Sequence, residues 1–190
     1  MGKRRLVIGF FLLMLVLLIA AIVLYIRPAK SLDLHYAAVS WEDKLRGMAE
    51  TRRPELTLTE QELNNLSKKE LKQYIDEHEL PVQITGADFQ LNGDRLTADL
   101  NASWGALDVG VKADYLMEYA LGRLLLVPEK LGIRGMTLPP ERFGLEPIEI
   151  DLGNYLPDVV KVKEMSFPGK TIKVEFKLDW LEVAKYLNLL

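Results

Sequence analysis

The amino-acid sequence predicts an α+β fold behind a single N-terminal transmembrane helix, and three observations carry that prediction. Leu6 to Ile26 is an unbroken apolar run. Residues 59–78 place apolar side chains at helical spacing. Residues 82–178 contain long alternations of apolar and polar side chains between turn signals, as in LDVGVKADYLM from Leu107 to Met117. The expected architecture is a curved antiparallel sheet of long hairpins packed on one or two helices.

The apolar run comes first. At 1.5 Å per residue it spans about 31 Å, close to the hydrocarbon thickness of a bilayer. A cleaved signal peptide has an apolar region of only ~7–15 residues followed by a small-residue cleavage site. Here the Ala20-Ala21 pair is followed by Ile22-Val-Leu-Tyr-Ile26, so the segment is expected to be retained. Lys3, Arg4 and Arg5 precede it and only Arg27 and Lys30 follow closely, which predicts a cytoplasmic N-terminus and an extracytoplasmic remainder at the plasma membrane. Three regions follow: a basic tip and anchor over 1–30, a juxtamembrane connector over 31–54, and an extracytoplasmic α+β domain over 55–190.

All 27 acidic residues lie beyond the anchor. The resulting domain is acidic and has no sustained basic stripe, which argues against nucleic acid as its main ligand. Cysteine is absent, so stability must come from packing rather than disulfides.

Along the chain, Trp41 to Met48 fits a short helix and Glu55 to Leu58 a short strand. Thr59-x-x-Glu62 fits a capping box, and Ser67-x-x-Glu70 a second one, so Leu63, Leu66, Leu71, Tyr74, Ile75 and His78 predict one helix or a broken helix ending before Pro81. Asn92-Gly93-Asp94 is a hairpin turn. Leu96, Ala98 and Leu100 alternate with polar neighbours up to the turn at Ser103-Trp-Gly105, and a turn at Ala120-Leu-Gly122 leads into Arg123–Val127. Pro139-Pro140 and Gly153 to Pro157 mark irregular chain. Val160 to Leu178 forms a hairpin around Phe167-Pro168-Gly169-Lys170, and Asp179 to Leu190 an amphipathic helix through Trp180, Val183, Ala184 and Leu187.

No catalytic constellation is evident. The only histidines are His35, just beyond the apolar run, and His78 in Asp76-Glu-His-Glu79; no second ligand-rich motif accompanies the latter, so it is expected to be a solvated helix end rather than a metal or proton-transfer site. Asp99, Asp108, Asp114 and Glu118 alternate among basic residues as on the wet face of a sheet. There is no phosphate-binding glycine loop. A non-enzymatic protein without a cofactor is therefore expected.

The long ribbon raises the functional question. Leu107 to Met117 is about 36 Å long at ~3.3 Å per residue, so its dry face must bury against a great deal of material. Either protein fills the concavity, or a groove remains for a ligand with hydrocarbon chains. The apolar face expected to contact such a lipid or amphiphile comprises Leu107, Val109, Val111, Ala113, Tyr115, Met117, Ile172, Val174 and Phe176. Lys161, Lys163, Lys170, Lys173 and Lys177 give the last hairpin a local positive excess suited to anionic headgroups, or to blocking strand pairing at an edge.

The N-terminal anchor, LTLTEQELNNL at Leu56–Leu66, LNGDRL at Leu91–Leu96 and LLLVPEKLGIRGM at Leu124–Met136 resemble the YpmS-like family of membrane-anchored proteins from Gram-positive bacteria. More distantly, a helix followed by long curved hairpins is similar to the tubular lipid-binding fold of bactericidal/permeability-increasing proteins. The resemblance implies a single-pass envelope protein and carries over no active residue. The functional expectation is a non-enzymatic envelope protein that binds a lipid or amphiphile, the alternative being a scaffold with a filled core that binds an envelope protein.

Overall fold

The computed structural model describes residues 2–154, 156, 160–179, 181 and 185–186, with side chains from residue 11 onward. The described residues are α+β, with three α-helices and antiparallel hairpins. Helix α1 runs Gly2–Ile26, α2 Trp41–Thr51 and α3 Glu60–Glu77. Strands β1 (Glu55–Thr59), β2 (Gln83–Asn92), β3 (Arg95–Trp104), β4 (Leu107–Ala120), β5 (Arg123–Ile133), β6 (Met136–Leu138), β7 (Ile148–Asp151), β8 (Val160–Ser166) and β9 (Thr171–Leu178) follow in chain order. Among the described residues no helix is long and apolar enough to cross a membrane. In α1 the side chains of residues 2–10 lie outside that description, so only part of the Leu6–Ile26 run is covered. The expected C-terminal helix through Trp180, Val183, Ala184 and Leu187 also lies outside the described residues.

Local chemistry explains where the helices begin. Ser40 Oγ accepts from the Asp43 amide at the start of α2. Thr59 and Glu62 form the predicted reciprocal box at α3: the Glu62 amide donates to Thr59 Oγ1 at 3.3 Å, and the Thr59 amide donates to Glu62 Oε2 at 2.9 Å. The second box at Ser67 is not used, because α3 runs through it unbroken.

The strands form two antiparallel sheets rather than one. The small sheet has the order β1-β9-β8; the large one has β2-β3-β4-β5, with β6 and β7 pairing with successive halves of β5. Alternation of side chains reveals the faces of a strand but not its partner, which is why β1 pairing with β9 was hidden in the sequence. The two sheets share one core. Leu56, Leu58, Ile172, Val174 and Phe176 of the small sheet join Leu91, Leu96, Met117, Leu124 and Leu126 of the large one, with Leu45 and Met48 from α2. Each such buried side chain contributes about 1.5–3 kcal/mol. Helix α2, which falls within residues 31–54, thus packs onto this core through Leu45 and Met48.

Strand β5 extends past the predicted end at Val127 by means of a bulge. Asp114 pairs with Lys130 and Tyr115 with Pro128, so Glu129 is the extra residue. Pro128 falls between the stretches of β5 that pair with β6 and β7, where its missing N–H breaks neither of those ladders.

Candidate functional site

The predicted apolar ligand face divides into two parts. Met117, Ile172, Val174 and Phe176 are buried in the shared core, and Tyr115 packs against it, where burial pushes the Tyr115 phenol pKa upward. At these positions protein fills the concavity. Ala113 is also buried, in a line with Ala98 and Leu131 across three strands. Leu107, Val109 and Val111, towards the other end of β4, are only half-buried and lie outside that core cluster.

The predicted headgroup lysines are mostly engaged within the domain. Lys163 pairs with Glu175 at 3.2 Å, Lys170 with Glu60 at 3.1 Å and Lys173 with Glu55 at 2.8 Å. Lys161 and Lys177 stand directly opposite one another across β8 and β9. His35 and His78 are both exposed, the latter stacked on Tyr74 with ring centroids 4.2 Å apart. Among the described residues no group of three or more His, Asp or Glu side chains could hold a metal ion.

The most distinctive arrangement lies on the wet face of the large sheet. Gly86, Asn101 and Gly110 are register partners across β2, β3 and β4, so a side chain flanked by two missing ones crosses the sheet. The chain that follows α1 lies in this trough. Pro28 sits over Gly110, where an added Cβ would come within 2.9 Å of the Pro28 Cα. Asn101 Nδ2 donates to the Lys30 carbonyl at 2.8 Å, and Leu32 occupies the space above Gly86. At one end of the crossing, Arg134 Nε donates to the Arg27 carbonyl at 2.7 Å, and the Tyr25 hydroxyl of α1 donates to the Arg134 carbonyl at 2.9 Å. At the other end the Asp33 carbonyl accepts from the Ala87 amide at 3.1 Å, while Lys68 of α3 reaches the Asp33 carboxylate at 3.3 Å. The His35 backbone amide and Lys68 hold the Asp33 carboxyl below its usual pKa. Residues 27–33 are thus a strap across the sheet, tied at both ends.

Helix α3 continues this fastening along the outer edge of β2. Glu60, Asn64 and Lys68 are spaced by four residues, about 6 Å of helix rise, close to the ~6.7 Å between alternate strand residues. The Leu91 amide donates to Glu60 at 2.9 Å and the Phe89 amide to Asn64 at 3.0 Å, and the strap serves Ala87. Three amides of the edge strand, at Ala87, Phe89 and Leu91, are thereby satisfied, a standard protection against unwanted pairing.

Beside the strap the wet face holds a cavity of about 420 Å³. Its acidic lining consists of Asp88, Asp99 and Asp114; its basic lining consists of Arg27, Lys30, Lys112, Lys130 and Arg134. The acids are already engaged: Asp88 accepts from Asn64 and Gln90, Asp114 from Thr97 at 2.7 Å, and Asp99 pairs with Lys112 at 3.4 Å. Sequence reading missed Gly86, Asn101 and Gly110 as a site. The available signal was glycine at wet-face positions, where a strand normally carries a polar side chain. No family model matches this chain, and neither the curated proteins nor the solved structures provide a match.

Proposed function

We propose that this chain is a non-enzymatic, membrane-anchored envelope scaffold, with Leu6–Ile26 in the plasma membrane, the N-terminus cytoplasmic and the α+β domain extracytoplasmic. The strap carries this reading, because a tether meant only to hold a domain near a bilayer has no need of Asn101, Arg134 and two glycines to bind it. It fixes the domain relative to α1, as expected of a protein that presents a surface in a set orientation. The apolar side chains of α1 from Phe11 to Leu24 are largely exposed, a surface that water disfavours and lipid accepts. Exposed Trp104 and Met136 adjoin the β3–β4 and β5–β6 turns, at the end of the large sheet where Tyr25 meets Arg134. Trp is enriched at that depth in membrane proteins.

The second reading is binding of a lipid or amphiphile, favoured by the half-buried Leu107, Val109 and Val111 beyond the core. Two experiments separate these claims. Protease added to intact protoplasts should remove the domain; digestion only after lysis would overturn the topology. Titration with uncharged fluorescent amphiphiles of increasing chain length should show no saturable binding if the scaffold reading is right. Saturable binding that tightens with chain length would favour the second.

A further inference from the structure

The strap does more than fasten the domain: it brings Arg27 and Lys30, which follow the end of α1, to the cavity on the wet face. We infer that this cavity is a binding site for the phosphate of an anionic phospholipid in the leaflet where α1 ends. The inference deepens the proposed function and rests on α1 being in the membrane.

Charge is the first argument. Five basic and three acidic side chains line the cavity, and each of the acids has a partner within the fold. Of the cations, Lys112 is paired with Asp99, whereas Arg27, Lys30 and Lys130 have no ion pair among the described residues. Arg134 commits Nε to the Arg27 carbonyl and keeps the two terminal nitrogens of its guanidinium for a planar, bidentate contact with an oxyanion. The sheet as a whole is not basic, so the excess is local.

Shape is the second argument. Gly132 lies among Lys112, Lys130 and Arg134 and lines the cavity. A Cβ added there would meet nothing closer than 3.6 Å, so glycine is not required by packing. Its effect is to leave space between the cations, and the cavity falls within the ~300–1,000 Å³ range of small-molecule sites. The third argument is continuity. The strap passes from the end of α1 along this site, so a headgroup beside the helix need not leave its leaflet to be gripped.

The test uses the full chain in neutral detergent, titrated with short-chain phosphatidylglycerol, short-chain phosphatidylcholine and inorganic phosphate. Phosphatidylglycerol should bind saturably and phosphatidylcholine should not. Lys130→Gln and Lys30→Gln should each weaken binding about fivefold, the effect of one cation near an anionic surface. Gly132→Val should abolish binding while leaving the melting temperature close to wild type, because its added atoms enter the cavity. Absence of saturable binding, indifference to all three substitutions, or equal affinity for phosphatidylcholine would each overturn the inference. Inorganic phosphate binding as tightly as the lipid, with the same sensitivity, would overturn the lipid source. Protoplast proteolysis fails independently of this titration, so loss of the membrane topology and loss of the site are distinguishable.

Discussion

Asn64 on α3 holds the Phe89 amide of β2 at 3.0 Å through its side-chain oxygen, while its nitrogen donates to the neighbouring Asp88 carboxylate at 3.2 Å. One amide group thus joins a helix to the edge of a sheet by serving a donor and an acceptor together. Asn64→Ala should destabilise the domain by about 1–3 kcal/mol, the cost of leaving a partly buried amide without its acceptor. Asn64→Asp keeps the acceptor and should cost less at Phe89, although it sets a second carboxylate beside Asp88. Urea denaturation measures the first effect and hydrogen exchange at the Phe89 amide locates it. Unchanged exchange in Asn64→Ala would show that the helix does not seal this edge.

Glycine substitutions should separate packing from propensity. Gly110→Val must displace Pro28 and should release the strap, seen as faster proteolysis of residues 27–40 with a lowered melting temperature. Gly47, inside α2, has no neighbour within 4 Å of an added Cβ. Gly47→Ala should therefore stabilise the domain by about 0.5–1 kcal/mol through helix propensity. Opposite signs of the two melting shifts are the expected outcome.

The ribbon offers a direct test of its two faces. Ala113→Asp places a charge on a buried position in β4 and should cost several kcal/mol, whereas exposed Glu118→Gln should stay within about 0.5 kcal/mol. Equal effects in thermal unfolding would reject the register of β4.

Acid should weaken the fold through four carboxylates. Glu60 lies below its ordinary value of 4.5 because of the Leu91 amide and then Lys170, and Glu55 because of Lys173. Asp33 lies below 3.8 through the His35 amide and Lys68. At Glu62 burial pushes upward, but Lys44 and Thr59 outweigh it. A carboxyl with a lowered folded-state pKa contributes stability fully above its unfolded value and loses it as pH falls through the folded one. Stability should thus be level above about pH 5 and decline below about pH 4.5. Glu60→Gln should flatten that acid limb, measured as denaturant midpoints from neutral pH downward.

Local signals in the sequence marked most elements. The Thr59-x-x-Glu62 box, Asn92-Gly93, Leu121-Gly122 and Pro168-Gly169 each fix a backbone conformation through neighbouring residues, and Gly93, Gly122 and Gly169 do adopt positive φ. The division into two sheets was not legible, because β1 and β9 are separated by most of the domain and no local property selects their pairing. The same limit hid the strap. Gly86, Asn101 and Gly110 are ordinary wet-face residues singly, and only the register across three strands makes them a trough. Lys68 illustrates the converse case, a residue on the polar side of the α3 pattern that the structure buries against Asp33.

The strap also determines how the protein bears load. Tension along α1 does not fall on a chain end that can be peeled away residue by residue. It reaches Arg134 and Asn101 across neighbouring strands, then Ala87 at the sheet edge and Lys68 on α3. These fastenings resist in shear, sharing the force among elements that must give way together. Drag on the domain is likewise returned to the helix as torque, so α1 and the sheet move as one lever.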